Sequence, residues 1–366
     1  MMKFSCPHLD LCSGCEPQVE DLAGQQNLKL QNFISKARAH EILSDDLKLE
    51  VHSLGDGFLR TRLELTWKND HWGFWSKDKN DLLAIQECHQ VDPLLNEFYQ
   101  KFKLIKWPLK KASVRLRLSP ERKFGVWLDL ANEDVKNLFE EKSVLQACLS
   151  LAEVEIGQRR KKLYFEDGRF RLKDPEYQNW ISTFVSGREV ALASLIGGFS
   201  QTGPGATKVI AQLIENLLEK VKAQFVLEFG SGFGTLTLPA AAQNKRKVIA
   251  LELDERSLEG LAKSLTNNKI TSVELIRGDF QRKVFIDERL KEIDTYLVNP
   301  PRSGVQNLLI EIPANVQSLV YMSCFEESFF KDVENLKAQG FSLSESHLID
   351  QFPQTSHTEW MTLWTR

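Results

Sequence analysis

The sequence predicts an α/β protein: a Rossmann-like, doubly wound, mainly parallel sheet in the C-terminal half, preceded by a β-rich α+β domain. Three observations carry that reading. After about residue 190, strand-like runs alternate with helix-like ones, from FVLEFGSG through KVIALELD and SLEGLAKSLTNN to SLVYMSC. Between about 49 and 130 the pattern is instead one of short runs broken by turns, LEVHSLG, FLRTRLELTW, HWGFWS, ASVRLRLS and FGVWLDL. A length of 366 residues also exceeds what one typical core accommodates. The expected segments are 1–48, a cysteine-bearing N-terminus and helix; 49–188, the α+β domain; and 189–366, the α/β domain.

In chain order, Val19, Leu22, Leu28, Leu30, Phe33 and Ile34 give an approximate helical stripe over 17–43. The strand runs that follow are punctuated by Gly55-Asp56-Gly57 and Lys68-Asn69-Asp70, and LYFEDGRFRL reads as a hairpin around Asp167-Gly168. A strand pair near SLSESHLID and WMTLWTR closes the α/β series.

Composition narrows the class. Hydrophobic content of 42% and charged content of 27% are those of an ordinary globular protein. No stretch of 18 apolar residues suits a transmembrane helix. MMKFSCPHLDLCSGC has no apolar core of a secretory signal, so a cytoplasmic location is expected. The net charge of −3 excludes a generally basic nucleic-acid binder but leaves local basic patches, GQRRKKLYF (157–165) and RLRLSPERKFGVW (115–127). The latter interleaves cations with aromatics, and such runs suit the phosphates and bases of single-stranded RNA as well as a solvated face.

In a reducing compartment, clustered cysteines point to metal or catalysis rather than disulfides. Cys6, Cys12 and Cys15 fall within ten residues, with Gly14 letting the backbone curl, and Cys88 is the natural fourth ligand. Four thiolates suit zinc or a 4Fe–4S cluster, and a lone CxxC completed by distant thiols favours iron–sulfur.

EFGSGFGTLTLP (228–239) lies between a strand and a helix, where Gly230, Gly232 and Gly234 permit a tight turn and close ligand approach. Glu252 ends the next strand, placed to accept ribose hydroxyls, and Asp279 ends the one after, placed for an adenine amino group. Acid, glycine loop, acid, acid in that order fits S-adenosylmethionine better than a dinucleotide, whose GxGxxG spacing is absent.

LVNPPRSG (297–304) follows the next strand, with two prolines stiffening the loop that presents Asn299. Amino-group methyltransferases carry an aromatic after Asn-Pro-Pro; here Arg302 stands there, which argues against nitrogen methylation. Cys324 ends the following strand, either as a buried thiol or as a nucleophile. Carbon 5 of a pyrimidine becomes reactive when a thiolate adds to carbon 6, and a base must then remove the carbon-5 proton. Glu359 and His357, in HTEW, are the candidates for that base.

Over nearly its full length the chain resembles the RNA uracil-5 methyltransferase family, which makes 5-methyluridine. The resemblance rests on the Cys6/Cys12/Cys15/Cys88 set, FSQTGP (199–204), EFGSGFG, Glu252, VNPPRSG, YMSC and FPQTSHTE (352–359). It implies that the four cysteines bind a 4Fe–4S cluster. It also implies that Gln201, Gly230, Glu252 and Asn299 contact the cofactor, that Cys324 is the nucleophile and that Glu359 is the base. Having the cluster without an N-terminal RNA-binding barrel resembles the 23S rRNA branch, so RNA is the expected partner, 23S rRNA ahead of tRNA, for a monomeric enzyme. The alternatives are a tRNA enzyme, an amino-group methyltransferase using NPPR, and an inactive RNA-binding relative. Two positions depart from the family: Phe325-Glu326 follows the cysteine where Asn is usual, and Gly203 replaces an Asn after the glutamine.

Overall fold

The computed structural model describes residues 6–17, 21–44, 46–130, 135–279, 291–305, 309 and 311–366. The chain forms two compact units, one of 1–17, 56–181 and 193–203, the other of 18–55, 182–192 and 204–366. The expected 1–48 segment is thus shared between them. Its cysteines go to the first unit and its helix, Leu22–Ala39, to the second. Residues 18–20, at the start of the expected helix, lie outside the described residues. The Asp21 carboxylate accepts the Gly24 N–H at 2.7 Å and caps the helix there.

The first unit is built on an eight-stranded sheet. Its spatial order is Leu82–Ala84, His71–Trp75, Arg62–Lys68, Ala112–Leu118, Phe124–Asp129, Glu153–Ile156, Lys161–Glu166 and Arg169–Lys173. All pairs are antiparallel except 124–129 with 153–156. One face of the sheet packs on Pro93–Phe102 and Lys142–Leu151, with Trp67, Trp72, Leu95, Phe98 and Phe102 in the core. The hairpin expected at Asp167-Gly168 is present, with Gly168 at φ +72°, a left-handed turn position.

The second unit carries the parallel sheet. Its order is Lys48–Ser53, Ser342–Asp350, Trp360–Thr365, Ser318–Ser323, Thr295–Val298, Phe225–Phe229, Lys247–Glu252 and Val273–Arg277. Strand 360–365 runs antiparallel between 318–323 and 342–350; every other pair is parallel. From 225–229 the chain steps outward through 247–252 to 273–277, then returns to the opposite side at 295–298. That reversal is a topological switch point, and the crevice beyond its carboxyl ends is where open α/β sheets bind ligands. The glycine loop after Phe229 and the NPPR loop after Val298 flank it.

One strand reading is corrected. LEVHSLG, expected in the β-rich domain, is the edge strand of the C-terminal sheet, paired in parallel with 342–350 from Lys48↔Glu345 to Ser53↔Asp350. Leu49 and Val51 rest on the core of that unit with Phe33, Leu348 and Trp360. A strand's own pattern does not name a partner almost 300 residues away.

Candidate active site in the second unit

The glycine loop is held from beneath. Glu252 Oε2 accepts the Gly232 N–H at 2.9 Å, and Oε1 accepts the Leu253 and Asp254 N–H groups, each at 2.8 Å. A carboxylate offers about four lone-pair sites. Three are filled by backbone N–H groups of the loop and the strand end. Gly230, Gly232 and Gly234 all have positive φ, at 77°, 54° and 97°. A Cβ on Gly234 would stand 2.5 Å from Leu261 Cδ1, so glycine there allows helix Glu255–Asn267 to pack closely. Among the described residues, a Cβ on Gly232 would meet nothing within 4 Å, so this glycine faces an open cradle. Asp279 is half-buried just beyond the 273–277 strand, and Asn299 is half-buried just beyond Val298.

Glu228, read from the sequence only as the strand's last acid, has a more pronounced character. It is 1% exposed, and among the described residues neither carboxyl oxygen has a hydrogen-bond partner of normal geometry. Burial pushes its carboxyl up to about 8; the nearby Thr237 hydroxyl pulls it down but is not aligned for a regular bond. An orphaned acid under an open glycine cradle suits a ligand that brings its own donors. The residues present therefore fit S-adenosylmethionine.

Cys324 and Glu359 meet at the other side of the switch point. The antiparallel register Ser323↔Trp360 sets the residues one step beyond, Cys324 and Glu359, opposite each other at the strand ends. The Cys324 thiol is pushed up, chiefly by burial and next by the Glu359 charge; Arg302 opposes both, through its charge and a hydrogen bond. Arg302, from the NPPR loop, also lies 6.0 Å over the Phe325 ring. Burial pushes the Glu359 carboxyl up to about 8, against the Gln351 amide, which donates to Oε2 at 2.9 Å. His357 is exposed and lines the open pocket at Cys324, together with Lys29, Lys36, Phe325 and Thr358.

The supporting shell was not visible in the sequence. Lys29 donates to Asp350 Oδ1 at 2.7 Å and to the Phe352 carbonyl at 2.9 Å, an ion pair with both side chains at most 5% exposed. Gln25 and Gln354 exchange bonds of 3.0 and 2.9 Å. Helix 22–39 thereby clamps the loop that leads into Glu359. The NPPR loop is fixed by Asp332, whose Oδ2 accepts from Val305 N–H at 3.0 Å and from Tyr321 Oη at 2.7 Å. A Cβ on Gly304 would lie 2.7 Å from that same oxygen, so only glycine fits there.

Both departures from the family pattern acquire a structural reason. Glu326 accepts from Thr358 Oγ1 at 3.1 Å and Trp360 Nε1 at 3.4 Å, and pairs with Lys36 at 2.6 Å, so it steadies the same loop. Gly203 belongs to the first unit, as does the buried Gln201. A Cβ at 203 would stand 2.0 Å from the Leu59 carbonyl oxygen, a contact no other residue could make.

Cys6, Cys12, Cys15 and Cys88 line one pocket of the first unit, with Phe74, Ile85 and Arg60. The segment is tied down by the Ser13 N–H on the Trp75 carbonyl and the Lys77 N–H on the Leu11 carbonyl, at 3.1 and 2.9 Å. Asn96 holds Cys88 by its backbone on both sides, at 3.0 and 2.9 Å. Burial and the neighbouring Cys88 push the Cys15 thiol up to about 12. The Gly14 N–H donates to Cys12 Sγ at 3.3 Å, and Arg60 lies close enough to favour the thiolates of Cys15 and Cys88.

The basic runs divide. Lys162 and Lys173 both lie 5.2 Å from the Tyr164 ring centre, beside the exposed Phe165. Arg117 is instead 2% exposed and donates to the Gly198 carbonyl, its guanidinium pushed down to about 9 by burial. The 115–127 run therefore includes a core residue that offers nothing to phosphate. Among the described residues, no helix is long and apolar enough to cross a membrane.

A sequence model of the family described as tRNA (Uracil-5-)-methyltransferase matches residues 177–366. An uncharacterized RNA methyltransferase of Bdellovibrio bacteriovorus is 35% identical, over 99% of this chain and 95% of its own length. A 23S rRNA (uracil(1939)-C(5))-methyltransferase, RlmD, of Haemophilus influenzae is 26% identical over 98% of this chain and 81% of its own. A tRNA/tmRNA (uracil-C(5))-methyltransferase of Sulfurovum is 25% identical over 97% of each. The crystal structure of Pyrococcus abyssi tRNA (uracil-54, C5)-methyltransferase with S-adenosyl-L-homocysteine shares the fold, with a TM-score of 0.66 at 20% identity, covering 99% of this chain and 87% of that one. This chain belongs to the tRNA (uracil-5-)-methyltransferase family and is an S-adenosylmethionine-dependent RNA uracil-5 methyltransferase.

Proposed function

We propose that the chain methylates carbon 5 of a uridine in 23S rRNA, with Cys324 as nucleophile and Glu359 as base. The observation that carries this is the facing of Cys324 and Glu359 across two strand ends, with Arg302 beside the thiol. The Cys324 sulfur bonds to carbon 6, which makes carbon 5 electron-rich. S-adenosylmethionine, when bound, supplies the electrophilic methyl group. Glu359 then takes the carbon-5 proton, and the carbon–sulfur bond breaks to restore the ring and the thiolate.

The charges support that order. A free thiolate and a carboxylate side by side oppose one another, and Arg302 offsets this for the thiolate. Once sulfur is bonded to carbon, its charge is gone and Glu359 ionises without a facing anion. A carboxyl at about 8 is also a stronger base than an ordinary one. Gly230, Glu252, Asp279 and Asn299 are proposed to hold the cofactor, the Glu228 carboxyl being left to its donor groups. Cys6, Cys12, Cys15 and Cys88 are proposed to hold a 4Fe–4S cluster, a role supported by their shared pocket and by Arg60 and the Gly14 N–H at the sulfurs. Tyr164, Lys162 and Lys173 are proposed RNA contacts.

The choice of 23S rRNA rests on the rRNA-directed relatives and on the cysteine set, and mass mapping of modified uridines in cells with and without the gene tests it. The chemistry is tested with 5-fluorouridine RNA, which should become covalently attached to Cys324 in the presence of cofactor. Glu359→Gln should accumulate a methylated covalent adduct with ordinary RNA. Normal turnover with Glu359→Gln and no adduct would move the base elsewhere.

A further inference from the structure

Glu50, His52 and His347 each present one ligand atom, and the three atoms lie within 4.8 Å of one another. The register explains how they meet. Glu50 and His52 are two apart on the edge strand and so share a face, and His347 is the direct partner of Glu50 on the adjacent strand. His52 Nε2 stands 3.1 Å from His347 Nδ1, and that same Nδ1 stands 3.6 Å from Glu50 Oε2. Tetrahedral zinc with bonds of ~2.0–2.1 Å separates its ligand atoms by about 3.3 Å. The other nitrogen of His347 is occupied: Nε2 lies 3.1 Å from Glu345 Oε2. A carboxylate on the distal nitrogen fixes the tautomer and turns the Nδ1 lone pair toward the cluster, the arrangement metal-binding histidines use.

We propose that these three side chains bind a zinc ion that clips the edge strand 48–53 to the C-terminal sheet, with water in the fourth place. His347 and Glu345 are buried, His52 is half-buried and Glu50 is exposed, so the site is rigid on one side and open to solvent on the other. His52 and His347 are separated by 295 residues, so the ion closes a long loop of chain. The neighbouring charges are Lys48, 3.2 Å from Glu50 Oε2 and 4.0 Å from Glu345, and Lys220, paired with Glu345. Lys48 competes with the ion for Glu50.

The full chain as isolated is titrated with zinc chloride and, in parallel, with cobalt chloride. The expected result is one metal equivalent per chain whose cobalt spectrum shows d–d bands without thiolate charge transfer, distinguishing it from the cysteine pocket. His52→Ala should remove that equivalent and the rise in thermal midpoint that zinc produces. Glu345→Gln should weaken it ~10–100-fold, and Lys48→Gln should tighten it several-fold. Should His52→Ala fail to fold, imidazole nitrogen shifts of His52 and His347 on zinc addition to the unaltered chain decide the matter. Unchanged shifts, or the same zinc stoichiometry and affinity with and without His52, would leave only a hydrogen-bonded histidine pair and overturn the proposal.

Discussion

Cys15 and Cys324 are both thiols that burial pushes up, but their neighbours differ in kind. Around Cys15 the charges that raise it further belong to Cys88, Cys12 and Cys6. Around Cys324 the opposing charge is Glu359, and Arg302 works against it. Thiols that oppose one another's ionisation cannot all become anions until something positive sits among them, which is what a metal centre provides. Each site also has a cation at hand, Arg60 at Cys15 and Arg302 at Cys324, and a lone thiol so placed suits the proposed nucleophile. Burial is common to both thiols; what differs is the group next in effect, another thiol at Cys15 and a carboxylate at Cys324.

The largest effects should come from exchanging the roles. Cys324→Ala is expected to abolish methyl transfer and covalent attachment of 5-fluorouridine RNA while leaving iron content and visible absorption unchanged. On the proposed 4Fe–4S assignment, Cys88→Ser should do the reverse, removing the brown colour expected of an anaerobic preparation. A Cys324→Ala protein without colour, or a Cys88→Ser protein that keeps it, would break the comparison. Next in size is Lys29→Met. Removing one partner of a buried ion pair costs roughly 3–5 kcal/mol, and here it also frees the loop before Glu359. Denaturant unfolding should register that loss. Adduct formation should slow in the surviving folded fraction, with iron content unaffected.

These supports mark where sequence reading stops. The glycine loop, the acids after successive strands and Cys324 were legible because each sits at a strand end, and strand ends follow from local pattern. The order of the α/β strands was legible for the same reason. Lys29 was not, because its partner Asp350 is 321 residues away and a lysine on a helix is normally a surface residue. The edge strand 48–53 was assigned to the wrong domain because parallel pairing leaves no local signature. Arg117 looked like an RNA contact because charge is visible in a sequence and burial is not. Glu228 could be seen as an acid after a strand, but its lack of a partner could not.

Glu228→Gln sharpens the contrast by separating folding from chemistry in any pH profile. Its folded carboxyl is raised from 4.5 to about 8, so the folded protein holds a proton that the unfolded chain releases. Stability should therefore fall as pH rises from the ordinary carboxyl range toward 8, by an amount on the order of 2–4 kcal/mol. Glu359 contributes in the same direction. In Glu228→Gln, urea midpoints measured at pH 5 and pH 8 should differ less than in the parent. An equal difference would mean that Glu228 is already ionised or otherwise satisfied.

Arg302→Met gives the smallest expected change and the most direct reading of the lone thiol. Arg302 is the one group named here that holds the Cys324 thiol down by both charge and hydrogen bond. Without it the thiol rises, and each unit of rise removes about tenfold of the thiolate at a fixed pH. The rate of attachment to 5-fluorouridine RNA should drop at neutral pH and recover as the pH is raised. Iodoacetamide labelling of Cys324, followed by mass mapping, should shift in parallel without any RNA present. If Arg302 instead only braces the NPPR loop, the rate will fall equally at every pH and the labelling profile will not move. Arg302→Lys restores the charge without the planar fork, so recovery of the labelling profile but not of the full rate would divide the electrostatic role from the positioning one.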